Sequence, residues 1–205
     1  FHYQTVFDFI LLKNFQPPFL LNDLWRSNIK FYIWCTIQIF SQNYHNMRKK
    51  EHHSIFYECS SLSELSHSHR QLVEKAETAA LNAYAPYSEF HVGSAVLLEN
   101  GRSFVGNNQE NVAFPSGLCA ERVAVFYAKA QFPEIPIETL AITALKKGKL
   151  TEEPAAPCGG CLQVLLEYER RDQRPIKILL YGSNKIVMGE GVRQFLPLGF
   201  DGKTL

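Results

Sequence analysis

Three short runs of residues carry groups that could do chemistry: Asn108-Gln109-Glu110-Asn111, Cys119-Ala120-Glu121-Arg122 and Pro157-Cys158-Gly159-Gly160-Cys161. In the last, Cys158 and Cys161 stand at the start of a predicted helix, so both sulfurs point toward its N-terminus. The free N–H groups and positive dipole end there favour thiolate over thiol. A Cys-x-x-Cys pair alone serves equally as a redox dithiol, a structural zinc site or a catalytic one. Cys119 shifts the balance, because it too opens a predicted helix and Glu121 follows in the first turn. Three thiolates give zinc three protein ligands, whereas a structural site takes four and a catalytic site keeps one position for water. His91 is the nearest candidate for a fourth, but strand alternation sets it on one face with Gly93 and Ala95, and it is not expected to bind.

An open zinc position beside a carboxylate describes hydrolysis. The metal brings the pKa of a water toward neutrality, and Glu121 can take that water's proton and pass it to substrate. Three thiolates leave the centre with net negative charge, which opposes that acidity. Arg122 near the sulfurs would donate hydrogen bonds and restore it. The same two residues also have plainer uses, Glu121 as a carboxylate at a helix N-terminus and Arg122 as a surface cation.

Together, Asn-x-Glu-Asn, Cys-Ala-Glu-Arg and Pro-Cys-Gly-x-Cys resemble the small homotetrameric cytidine deaminases with a three-cysteine zinc site, a signature in which the Glu is acid and base rather than ligand. The similarity runs from about Ala83 (AYAPYSEFHVGSAVLLENG) to the C-terminal FLPLGF. It implies one zinc per chain on Cys119, Cys158 and Cys161, with Glu121 shuttling protons during hydrolysis of cytidine and deoxycytidine to uridine and deoxyuridine. It implies that Asn108 and Glu110 hold the ribose hydroxyls, that Phe90 packs against the base and that Ala120 contacts substrate. Phe200 would be lent to a neighbouring subunit's site, which makes a homotetramer with shared active sites the expected assembly. A carboxylate at Glu110 would repel a phosphate, so a free nucleoside is expected, not a nucleotide polymer. The sequence departs from the family at Leu162, where an Arg is usual, while Gln163 matches. Rival readings are the same chemistry on a modified cytosine nucleoside, a thiol redox protein using Cys158 and Cys161, and a structural zinc module that binds another protein.

The elements that must position these residues are legible in outline. Leu72, Val73, Ala76, Ala79, Ala80 and Ala83 recur at helical spacing and predict a helix over 69–84, closed by Pro86. Residues 90–98 read as a strand, and Glu99-Asn100-Gly101 as the turn into a second at 102–107. Helices are expected over 119–130 and 161–171, and strands over 137–145, 176–181 and 186–188. This alternation suggests an α/β sandwich around one mixed sheet. The resemblance implies the three-layer α/β/α form with roughly five strands.

Composition sets the outer limits. The chain has 205 residues, 46% hydrophobic and 13% aromatic, which suits one packed domain. Net charge is +1, and no basic stripe is visible, so a nucleic-acid polymer is not the expected partner. The five cysteines, an odd count, read as metal ligands plus bystanders (Cys35, Cys59) in a reducing compartment. The longest apolar stretch, 29–40, contains Lys30 and Gln38, and is shorter than the roughly 20 residues of a spanning helix. No signal peptide is visible, so a soluble, cytoplasmic protein without a membrane partner is expected. The first Met is Met47, and residues 1–46 are crowded with Phe, Ile, Asn, Tyr and Leu without sustained periodicity. They are expected to be translated upstream sequence or disordered, leaving 47–205 as the deaminase domain.

Overall fold

The computed structural model describes residues 48–202; the reading of 1–46 as an extension, Cys35 included, lies outside the described residues. From Tyr57 onward the order is β1 (Tyr57–Cys59), α1 (His67–Ala80), β2 (Phe90–Leu98), β3 (Ser103–Asn107), α2 (Ala120–Gln131), β4 (Ile137–Lys146), β5 (Lys149–Leu150), α3 (Gly159–Asp172), β6 (Lys177–Tyr181) and β7 (Ile186–Glu190). The strands join in one sheet of order β1-β7-β6-β4-β2-β3, with β5 paired to β4. β4 and β6 run parallel, joined through α3, and every other pair is antiparallel. Five substantial strands therefore carry the fold, as expected, and two very short ones extend it.

Alternation along the strands sorts the core into two layers. On one face Ala95, Ala141 and Leu179 meet Leu72, Val73 and Ala76 of α1. On the other, Val96, Leu98, Leu140, Ile142, Ile178 and Leu180 meet Ala124, Val125 and Ala128 of α2 and Leu162, Leu165 and Leu166 of α3. This is the three-layer α/β/α arrangement. Two strand glycines set how closely the helices approach. A Cβ on Gly93 would lie 1.9 Å from the Ala76 carbonyl oxygen of α1. One on Gly106 would lie 2.4 Å from the Ala124 nitrogen and 2.7 Å from the Ala120 oxygen of α2.

Several boundaries differ from the sequence expectation for local reasons. α1 starts at His67 because Ser66 caps it, its hydroxyl accepting from the His69 N–H at 3.3 Å. It stops at Ala80, four residues before the expected end, because the Tyr84 N–H donates to the Asn108 oxygen at 3.0 Å and the Tyr84 oxygen accepts from the Glu110 N–H at 2.8 Å. Tyr84 is thus drawn out of the helix to bridge Gln109. β1 adds an edge strand to β7 through backbone pairing, and its residues carry no apolar pattern. β5 follows a tight turn in which both Lys147 (φ 53°) and Gly148 (φ 72°) are left-handed, as a primed hairpin turn requires. Cys59 is half-buried on β1 as a free thiol.

Candidate active site

The two helices that carry the sulfurs are made by ordinary means. α2 is rich in alanine and free of Gly and Pro, and it buries Ala124, Val125 and Ala128. α3 buries Leu162, Leu165 and Leu166, and it ends with Arg170 and Arg171 beside its negative dipole end. What is unusual is how each starts. Cys119 heads α2 and Cys158 heads α3, neither making a side-chain capping hydrogen bond, and Cys161 falls in the first turn of α3. Both helices thus point their positive ends at the same cluster of sulfur.

The Cys119 Sγ lies 3.8 Å from the Cys158 Sγ, which lies 3.5 Å from the Cys161 Sγ. A tetrahedral centre with Zn–S bonds of about 2.3 Å sets its sulfurs about 3.8 Å apart, so the trio fits a zinc ion in both donor type and spacing. Among the described residues no other group of His, Cys, Asp and Glu is placed to hold a metal. His91 alternates with Gly93, which packs on α1, and is not among the residues grouped to hold a metal. Three sulfurs without a fourth protein ligand match an open catalytic site better than a closed structural one. The redox pairing of Cys158 with Cys161 would leave the third sulfur without a purpose.

The three thiols sit in different electrostatic surroundings. Hydrogen bonding from Cys161, then from Arg122 and Cys158, pulls the Cys119 thiol down to about 5. Cys161 is pushed up, by its hydrogen bond to Cys119 first, then by burial and the Glu121 charge. A coordinated cation deprotonates coordinating thiols outright. The Arg122 Nη2 donates to the Cys119 Sγ at 3.7 Å, the placement expected of a residue that offsets thiolate charge. Glu121 is 5% exposed. Burial raises its carboxyl above the ordinary 4.5, opposed by its own N–H and reinforced by the Cys119 charge. A carboxyl raised in this way is a better proton acceptor than an ordinary one, the direction a proton shuttle needs.

Beside the sulfurs opens a cavity of about 490 Å³, lined among others by Tyr87, Ser88, Asn108, Glu110, Phe114, Cys119 and Arg122. That volume suits a small molecule. The structure thus brings together Asn108, Glu110, Cys119 and Arg122 from two separate sequence runs. Asn108 is pinned to β2, its Oδ1 accepting from the Val92 N–H at 2.8 Å and its Nδ2 donating to the Phe90 oxygen at 2.9 Å. The Glu110 Oε2 accepts from the Tyr87 N–H at 2.9 Å and the Ser88 N–H at 3.3 Å, and its Oε1 from the Ser88 hydroxyl.

Other expected residues stand apart from that cavity. Phe90, Ala120, Glu121 and Phe200 are not part of its lining in the single chain. Ala120 is fully buried at the start of α2, and Phe200 is 61% exposed. The Phe200 backbone is held by the Gln163 side chain, which accepts from the N–H at 3.1 Å and donates to the oxygen at 2.6 Å. Leu162 is 6% exposed and packs into the main core, so it contributes no polar group to the sulfurs. Tyr87, Ser88 and Phe114 were not singled out from sequence. Tyr87 and Ser88 lie inside the AYAPYSEF run, but only the fold shows that their N–H groups face Glu110.

Residues 66–173 match the family model for the cytidine and deoxycytidylate deaminase zinc-binding region. A cytidine deaminase of Halalkalibacterium halodurans is 38% identical over 136 residues, covering 66% of this chain and 96% of that protein. One from Sporosarcina psychrophila is 40% identical over 98 residues, covering 48% of this chain and 68% of its own length. Among solved structures, the cytidine deaminase of Burkholderia pseudomallei superposes with a TM-score of 0.55 at 31% identity, covering 66% of this chain and all of its own.

Proposed function

The chain belongs to the cytidine and deoxycytidylate deaminase family, and from that membership we propose that it hydrolyses the 4-amino group of cytidine and deoxycytidine. Water is consumed, ammonia leaves, and uridine or deoxyuridine remains, a pyrimidine-salvage reaction. The observation that carries this reading is the juxtaposition of three zinc-spaced sulfurs with the buried Glu121 carboxyl in the first turn of α2.

Cys119, Cys158 and Cys161 would hold one zinc ion, which when bound supplies the Lewis acidity that makes a water reactive near neutral pH. Glu121 accepts the proton of the attacking water. It delivers that proton to the ring nitrogen, then takes the second proton from the same oxygen and passes it to the departing amine, a shuttle in line with its raised pKa. Arg122 donates to the Cys119 sulfur and offsets thiolate charge. Asn108 and Glu110 bind the sugar hydroxyls from the cavity wall; Phe90 and Ala120, which do not line that cavity in the single chain, are assigned to the base and to substrate by the family resemblance alone. Charge at Glu110 selects against a phosphate there, so the free nucleoside is the substrate.

We assign Phe200, which is exposed and held at its backbone by Gln163, to the site of a neighbouring subunit in a homotetramer. We place the protein in the cytoplasm. A reducing compartment preserves the free thiols, and among the described residues no helix is long and apolar enough to cross a membrane. We assign residues 47–205 to the deaminase domain.

The test is to follow cytidine absorbance in the ultraviolet for the protein and for Glu121→Ala, with zinc determined on both. Turnover by the parent and loss in a variant that keeps its zinc is expected. A parent that holds zinc and leaves cytidine untouched overturns the substrate, and loss of zinc from Glu121→Ala overturns the role of Glu121.

A further inference from the structure

We infer that Ser88 is the positioning residue for sugar recognition: its hydroxyl locks Glu110 into the one orientation from which that carboxylate meets a sugar hydroxyl. The inference rests on the reading above that Glu110 binds the sugar.

The geometry is that of a bracket. Glu110 lies half-buried on the cavity wall, and a glutamate side chain without partners spreads over many rotamers. Here it is met from one side by the turn after Pro86. The successive N–H groups of Tyr87 and Ser88 converge on Oε2, a small backbone nest for an anion. The Ser88 hydroxyl donates to Oε1 and accepts from the Phe90 N–H at 3.1 Å. One oxygen atom therefore ties the proposed sugar ligand to the strand residue proposed to pack on the base. The chain reaches this arrangement only by placing Glu89, between Ser88 and Phe90, at φ 53°. A non-glycine residue in the left-handed region is held there by its surroundings rather than by preference, and the Glu89 N–H to Ala85 oxygen bond at 3.0 Å is part of that hold.

The bonding capacity is specific. A carboxylate has about four acceptor positions, and three are taken by Tyr87 and Ser88. What remains is an acceptor aimed in one direction. Alanine at position 88 removes the donor to Oε1 and the acceptor for Phe90 together, whereas threonine keeps both. The two N–H contacts to Oε2 survive in either case, so the bracket loosens without being abolished.

The experiment compares cytidine with 2′,3′-dideoxycytidine, which lacks both secondary sugar hydroxyls, on the full chain and on Ser88→Ala, Ser88→Thr and Glu110→Gln. For Ser88→Ala, kcat/KM on cytidine should fall about tenfold through KM, the order expected for one charge-assisted hydrogen bond. Turnover of the dideoxy compound should fall markedly less, and Ser88→Thr should recover cytidine. An equal fall on both substrates makes Ser88 merely structural and overturns the inference, as does failure of Ser88→Thr to recover. If Glu110→Gln abolishes the preference for cytidine while Ser88→Ala leaves it intact, the positioning role falls and sugar binding by Glu110 stands. If neither variant alters the preference, sugar binding by Glu110 falls as well.

Discussion

Replacing Gly106 with alanine drives a methyl group into the backbone of α2, the helix headed by Cys119 and carrying Glu121 and Arg122. The added Cβ would sit 2.4 Å from the Ala124 nitrogen and 2.7 Å from the Ala120 oxygen, where separations under 3.0 Å are essentially never tolerated. Both obstacles are main-chain atoms, so no side chain can swing aside, and α2 must retreat from β3 by at least about 0.6 Å. Overpacking of this kind costs about 1–3 kcal/mol. With rigid backbone on both sides we expect the upper end, which in a domain of this size lowers Tm by about 6–12 °C. A retreat of that size also displaces the Glu121 carboxyl and the Cys119 sulfur, and misplacement by about 1 Å costs on the order of a hundredfold in rate. We therefore expect kcat/KM on cytidine to fall about 10- to 100-fold in the folded protein, with thermal melting, zinc content and nucleoside turnover measured on one preparation. Gly93→Ala is the comparison: its Cβ would meet the Ala76 oxygen at 1.9 Å, a worse overlap, but with α1, which carries no residue of the site. It should destabilise at least as much and slow turnover far less. The reasoning is refuted if Gly106→Ala melts within about 3 °C of the parent, or if Gly93→Ala loses as much kcat/KM.

Arg122→Gln removes the guanidinium that donates to the Cys119 Sγ. Zinc affinity should drop about 10- to 100-fold, read by competition with a chromophoric chelator, and unchanged affinity would contradict that role. The Ser88 hydroxyl first, then the Tyr87 N–H, hold Glu110 below its ordinary 4.5. Its contribution to stability is thus present above the ordinary value and is lost as pH falls through the depressed one. A carboxyl-carbon NMR titration should show a midpoint below 4.5 that rises in Ser88→Ala; a midpoint at the ordinary value would count against the bracket. Gln173 closes α3 at φ 51°, so Gln173→Gly should stabilise the chain by about 0.5–1 kcal/mol in denaturant unfolding. Leu165 is 1% exposed between α3 and the sheet, and Leu165→Ala should cost about 2–5 kcal/mol by the same measurement.

What was legible in the sequence was the part fixed by local pattern. The bounds of β2 agree with expectation because Phe90–Leu98 is long, apolar and flanked by turn residues. Both cysteine-headed helices were found to within two residues because helix propensity and burial agree along them. The end of α1 was misread because it is decided by Asn108 and Glu110, which claim the backbone of Tyr84 from far along the chain. β1 and β5 left no periodic signal, since one is an edge strand held by backbone pairing and the other a return from a tight turn. At the site, the residue types spoke for zinc and for the proton shuttle, and the structure added the sulfur spacing. The bracket around Glu110 was hidden for a different reason: two of its contacts are made by main-chain N–H groups, which every residue but proline possesses and no composition reveals.

The manner in which α2 and α3 begin also bears on how the molecule comes apart. Cys119 and Cys158 are separated by 39 positions of chain, and that interval contains all of α2, β4 and β5. An ion joining the two sulfurs closes this interval into a ring, as a covalent bridge would. For a ring of that length the lost freedom of the opened chain corresponds to about 4 kcal/mol on the chain-entropy account. Neither helix has a side-chain cap of its own, so the ion would be what secures both leading turns at once. The same centre that makes water reactive would then act as the clasp that keeps the middle of the chain from unravelling, and a protein slow to lose its metal would be slow to unfold.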